Sequence, residues 1–106
     1  MQMLDEFVRT AAQAGAGTLL LVAGQRPVMR VGGQLQPPLA EDLLTFHETQ
    51  AMVETLLNGP QRLVLETDGS VEVPFAVAGV EGRLTVFYGM GSHNLVFHLK
   101  GGAGER

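Results

Sequence analysis

Residues 15–35 constrain the fold more than any other part of this chain. An apolar run at residues 19–22 leads through a turn at residues 24–27 into a second short run, Val28–Val31. The second run ends at Gly32-Gly33, and paired glycines accept the positive φ angles that a two-residue hairpin loop requires. Both runs are too short for helices and have the length of strands. The stretch therefore predicts two or three consecutive strands close to the N-terminus.

Three helices are predicted on either side of this region. The first is predicted from apolar residues at three- and four-residue spacing and ends at Gly15. Thr45 and Glu48 form a capping box that opens the second helix. Gly59 ends that helix, and Pro60 begins a short third one at a position where its missing N–H costs nothing. The apolar positions of the first helix are Met3, Leu4, Phe7, Val8, Ala11 and Ala12.

The last third of the chain is predicted to form three strands, at residues 70–77, 83–88 and 94–99. Pro74 lies inside the first of them, and a proline in a strand indicates a sheet edge or a bulge. Runs of strands separated by helices predict an antiparallel sheet with helices packed on one face, an α+β fold.

Length and composition narrow the functional classes. The 106 residues predict one domain at residues 1–100 and a flexible, glycine-rich tail at residues 101–106. The net charge is −4 and the basic residues are scattered, which argues against a nucleic-acid partner. The sequence has no apolar run long enough to enter a membrane and no cysteine for a disulfide or thiolate site. No signal peptide is recognisable, which favours a cytoplasmic location.

Several motifs in order resemble one family. Residues 15–35 resemble the run G-A-S-D-L-H-L-x-A-G-x-P-P-x-x-R-V-D-G-x-L, which opens the N-terminal domain of type IV pilus retraction ATPases and related secretion ATPases. Residues 69–79 are similar to the family's G-E-L-D-F-S-F-E-I-P-G, and residues 82–87 to its G-R-F-R-V-N-V-F. The resemblance extends over about residues 3–100. It implies a PAS-like domain that, in those hexameric motors, lies over the nucleotide cleft and moves against its neighbour.

The catalytic part of that family has no counterpart in these residues. A phosphate-binding loop needs G-x-x-x-x-G-K-S/T, so that backbone N–H groups and one lysine surround the phosphates. The sole lysine is Lys100, and residues 101–106 contain neither a lysine nor a hydroxyl group. We therefore expect no enzymatic activity, no catalytic residue and no cofactor.

Three residues are candidates for binding. Arg83 matches a family arginine that helps to hold nucleotide phosphates, so it is a candidate phosphate contact within an assembly and a candidate partner contact. Arg30 and Tyr88 are the other candidate partner contacts. More ordinary interpretations stay open, with Arg83 as a solvated strand residue and Arg30 pairing with a carboxylate that fixes its hairpin. The arginine of the family's final strand is His98 here.

The histidines and methionines give weaker indications of function. His93 and His98 are two potential ligands without a third, too few for a tetrahedral metal site, so none is predicted. The methionines Met29, Met52 and Met90 are expected to fill gaps in the core.

The leading hypothesis is a non-catalytic protein-interaction module, acting in pilus-based twitching motility or secretion as a regulator that binds the motor ATPase or an associated protein. One alternative is an excised N-terminal fragment of a full-length ATPase. Another is a PAS-like sensor of a small ligand, with a cavity lined by Leu19, Leu21, Val86 and Phe97. A homodimer through the edge strand Ser70–Val77 is a further expectation, because an exposed edge invites pairing.

Overall fold

A six-stranded antiparallel sheet organises this protein, whose computed structural model describes residues 2–100. The predicted tail at residues 101–106 lies outside the described part. The helices are α1 (Gln2–Gln13), α2 (Phe46–Leu56) and α3 (Gly59–Asp68), and the strands are β1 (Thr18–Val22), β2 (Val28–Val31), β3 (Gln34–Leu35), β4 (Ser70–Val77), β5 (Val80–Gly89) and β6 (Ser92–Leu99).

The strand order in the sheet is β3-β2-β1-β6-β5-β4. Each half of the sheet is a meander of three consecutive strands, and α2 and α3 connect the two halves. The first strand of the chain therefore pairs with the last one, with Leu19 opposite Phe97 and Leu21 opposite Leu95. β4 forms one edge of the sheet, as Pro74 predicted.

All three helices pack on the same face of the sheet, which confirms the α+β, PAS-like architecture expected from the sequence. Inward-facing side chains of the central strands, among them Leu84 and Phe97, are fully buried against Leu4, Val8 and Met52 of the helices. Leu19, Leu21, Val86 and Phe97, considered above for a ligand cavity, all belong to this core with no exposed surface.

Local sequence signals account for the helix boundaries. The Thr45 hydroxyl accepts from the backbone N–H of Glu48 at 3.1 Å, and the Glu48 carboxylate accepts from the N–H of Thr45 at 2.8 Å, so the predicted capping box is present. Asn58 and Gln61 form a second box at the start of α3. Gly69 ends α3 in the left-handed conformation, at φ 84°.

The β5–β6 hairpin is longer than predicted, because both strands continue to a two-residue turn at Met90-Gly91. Both turn residues have positive φ, 56° and 78°. The prediction that Met90 fills the core is wrong, because its side chain is fully exposed at the tip of this hairpin. Met52 is buried and Met29 packs against the core, as predicted.

Within residues 2–100, none of the helices combines the length and the apolar character that a membrane crossing needs.

Candidate functional site: the open face of the sheet

The face of the sheet opposite the helices is the main candidate interaction surface, and we call it the open face. Strand side chains alternate between the two faces. The inward positions Val73, Phe75, Leu84 and Val86 are buried, whereas the outward positions of β4 and β5 are exposed or half-buried. Within residues 2–100 no helix lies on the open face, because the buried apolar residues of α1, α2 and α3 all belong to the single core on the other side.

One row of the open face carries basic side chains in direct cross-strand register. Arg30 of β2 lies opposite Thr18 of β1, Thr18 lies opposite His98 of β6, and His98 lies opposite Arg83 of β5. Three strand spacings separate the two arginines, a distance of about 14 Å. The sheet thus places Arg30 and Arg83, two of the predicted partner contacts, at the ends of a single row.

The neighbouring row is largely apolar. Val28, Leu20, Val96 and Thr85 follow one another across β2, β1, β6 and β5. All four are half-buried. Phe87 lies on the same face, one pair further along β5, and is 38% exposed.

Arg83 makes the only ion pair found among residues 2–100. Its guanidinium nitrogen lies 3.3 Å from a carboxylate oxygen of Glu72, and both side chains are more than half exposed. An ion pair as exposed as this contributes little to stability, typically below about 1 kcal/mol. Arg30 pairs with no carboxylate in the described part of the chain, so these residues give no support to the interpretation that such a pair fixes its hairpin.

A wide depression of about 610 Å³ adjoins Arg83 on the open face. His98 and Lys100 add two more basic side chains to its lining, and Glu81 adds one carboxylate. The sequence interpretation missed His98 and Lys100 as neighbours of Arg83. Their spacing of two residues at the end of the predicted last strand was visible in the sequence, but the pairing of β6 with β5 was not. The predicted phosphate contact of Arg83 stays a prediction.

Tyr88, the third predicted partner contact, does not join the arginines. It follows the inward positions Leu84 and Val86 on β5, and therefore lies on the helix-bearing side, at the end of the β5–β6 hairpin. Its ring meets His93 edge to face, with 4.9 Å between centroids. The structure thus divides the three residues between two surfaces.

The two histidines of β6 are also separated. His93 packs beside Tyr88 on the helix-bearing side, while His98 faces outward beside Arg83. Among residues 2–100 no three side chains of the His, Cys, Asp and Glu types lie close enough together to hold a metal ion.

Comparison with known proteins identifies this architecture. The pilus retraction motor PilT, solved with bound ADP, superimposes with a TM-score of 0.78 at 28% sequence identity. The match covers 90% of this chain and 28% of the PilT chain. The resemblance to pilus and secretion ATPases is confirmed. It concerns the N-terminal region of those proteins.

Two further structures share the fold. The ATPase DotB of Legionella pneumophila matches with a TM-score of 0.72 at 13% identity, over 92% of this chain and 28% of that protein. DotB of Yersinia pseudotuberculosis matches with a TM-score of 0.72 at 15% identity, over 91% and 29%. The chain thus spans less than a third of the length of the ATPases it resembles. No protein-family model and no curated protein sequence matches this chain.

Proposed function

We propose that this chain is a non-catalytic protein-interaction module that binds a pilus or secretion motor ATPase, or a protein associated with one, through the open face. It would act in the cytoplasm, as a regulator of pilus-based motility or of secretion. The observation that carries the proposal is the apolar row Val28, Leu20 and Val96, bordered by Arg30 and Arg83, on a sheet face that no helix of residues 2–100 covers.

The composition of β1 supports a contact on this face. Antiparallel strands with one wet face normally alternate apolar and polar residues, whereas strands covered on both faces are apolar throughout. β1 reads TLLLV and lies in the middle of the sheet, yet the helices cover only one of its faces. A partner on the open face would cover Leu20 as the core covers Leu19 and Leu21.

The distribution of charge also favours this face. The helices carry the carboxylates of Asp5, Glu6, Glu48, Glu54, Glu66 and Asp68. The strands carry only two carboxylates, Glu72 and Glu81, beside the basic residues Arg30 and Arg83. In a chain with a net charge of −4, the open face is thus the less acidic side. We therefore expect the partner to offer an apolar patch flanked by acidic residues.

The experiment is binding of the purified chain to a full-length pilus retraction ATPase, measured by titration calorimetry. Replacing both arginines, in the variant Arg30→Glu/Arg83→Glu, should weaken binding at least about tenfold by placing like charges against the acidic partner. The wild-type affinity should also fall as salt is raised, because exposed charges are screened. Arg9→Glu on α1 is the matched control and should bind normally. Undetectable binding of the wild type to any such motor would refute the proposal.

The shares of the two chains that the structural match covers favour a second hypothesis, in which these residues are the N-terminal part of a full-length ATPase. The structural match covers 90% of this chain but only 28% of the PilT chain. This reading predicts nucleotide hydrolysis only when a catalytic domain follows in the same polypeptide. Hydrolysis by the 106 residues alone would contradict both readings.

A further inference from the structure

A groove on the helix-bearing side, remote from the open face, has the features of a second binding site. It consists of two adjoining cavities of about 330 Å³ and 230 Å³, which share the side chains of Leu65, Glu66 and His93. The larger cavity lies between the C-terminal half of α3 and the end of the β5–β6 hairpin, and is completed by Gly69 and Tyr88.

The larger cavity combines an apolar wall with an aromatic ring. Leu65 is buried and belongs to the core, so its side chain is a fixed apolar surface. The Tyr88 ring is about half exposed and is held at 67° to the His93 ring. Gly69 adds no side chain, and the place where a Cβ would stand has no other atom within 4 Å. A slender side chain can therefore enter beside Tyr88.

The charge along the groove is negative. Glu66 lines both cavities and Glu54 lines the smaller one, with Arg62 and His93 as the basic side chains in the lining. Neither carboxylate has an ion-pair partner among residues 2–100, where the sole pair joins Arg83 and Glu72. A bare metal ion does not suit this arrangement, because the described residues offer no cluster of three ligating side chains.

From this combination we infer that the groove binds an arginine side chain presented by a partner protein. Its methylene stem would lie against Leu65, its guanidinium would meet the Glu66 carboxylate, and the Tyr88 ring would supply a cation–π contact. Arginine fits better than lysine, since its planar, weakly hydrated guanidinium stacks on aromatic rings. The site does not depend on the function proposed for the open face.

The test is an NMR titration of the full chain with N-acetyl-arginine amide. The amide resonances of Gly69, Tyr88 and His93 should shift in a saturable way. N-acetyl-citrulline amide has nearly the same shape without the charge, and should bind at least about fivefold more weakly, as expected for loss of a charge-assisted hydrogen bond. Equal binding of the two compounds, or arginine-induced shifts confined to the open face, would overturn the inference.

Three variants complete the test. Glu66→Gln keeps the shape of the side chain and removes its charge, while Tyr88→Leu keeps an apolar surface and removes the ring. Each should weaken binding of the arginine probe about fivefold, equivalent to roughly 1 kcal/mol. Glu72→Gln, which neutralises a carboxylate of the open face, should leave binding unchanged. Wild-type affinity in both groove variants, with unaltered melting temperatures, would show that the carboxylate and the ring do not form the site.

Discussion

At the scale of single residues, Gly82 on β5 has the least room for a side chain among the glycines of the sheet. A Cβ at this position would clash with the backbone carbonyl oxygen of His98 and would lie 2.8 Å from the ring of Phe75. Neither the paired strand nor the core ring can move away cheaply. We predict that Gly82→Ala lowers the free energy of unfolding by about 2–3 kcal/mol, as is typical of an overpacked core, measured by chemical denaturation.

Gly89, at the other end of the same strand, provides the matched control. Its Cβ would have no atom within 4 Å, and its φ lies outside the left-handed region. Gly89→Ala should change stability by no more than about 0.5 kcal/mol, the usual range for a surface substitution. Equal effects of the two substitutions would mean that the close approach of β6 to Gly82 is not what excludes a side chain.

Met90 has a strained backbone conformation, with positive φ, although its side chain is fully exposed. Positive φ at both central residues of a two-residue hairpin loop is typical of a type I′ turn, which prefers Asn, Asp or Gly at the position of Met90. We predict that Met90→Asn raises stability by about 0.5–1 kcal/mol, because the exposed methionine makes no core contact that would be lost. Thermal denaturation should show a melting temperature a few degrees higher. A lower melting temperature would mean that Met90 packs on its neighbours.

At the scale of elements, the start of α2 depends on the reciprocal hydrogen bonds of Thr45 and Glu48. Thr45→Ala removes the acceptor for the N–H of Glu48, and we predict a loss of about 1 kcal/mol in urea denaturation. Thr55→Ala is the same substitution near the end of the same helix, where the hydroxyl donates to the carbonyl of Ala51 at 2.9 Å. Alanine has the higher helix propensity, so this control should be neutral or slightly stabilising.

Elements defined by neighbouring residues were predictable from the sequence. The capping box at Thr45, the proline at the start of α3 and the alternating pattern of β4 each act within a few residues, and each is present as predicted. The ends of β5 were not predictable, because Gly82 and Gly89 resemble strand boundaries. In the structure the strand continues through Gly82, which pairs with Phe75 and Leu99, and the residue is a glycine because the Phe75 ring and β6 occupy the space that a side chain would need.

The candidate site was only partly predictable for a related reason. Arg30 and Arg83 were candidate contacts from the sequence, but their common row depends on the pairing of β1 with β6, which joins residues far apart in the chain. The apolar run at residues 19–22 of β1 gives no alternation from which its outward residues could be predicted. The separation of Tyr88 from the arginines follows from its odd spacing to Arg83 along β5, five residues away and thus on the other face.

At the scale of the whole molecule, the two edges of the sheet determine how copies could associate. β3 has only two residues, whereas β4 is an edge of eight residues. The N–H of Tyr88 donates to the carbonyl of Gly69 at 2.9 Å, so by alternation Ser70, Glu72, Pro74 and Ala76 direct their backbone groups away from β5. Pro74 removes one N–H from the middle of this edge, and proline and charge are common protections of exposed edges. The expected homodimer through β4 stays a prediction.

Restoring that N–H tests whether Pro74 limits association. We predict that Pro74→Val raises the association constant for self-pairing, because the edge then offers an unbroken series of donors while its pairing with β5 is retained. Light scattering over a range of protein concentrations measures this. Pro37→Val, in the exposed connection between β3 and α2, makes the same substitution away from the edge and should change nothing. Equal masses for wild type and Pro74→Val at all concentrations would show that β4 is kept apart by features other than its missing donor, such as the charge of Glu72.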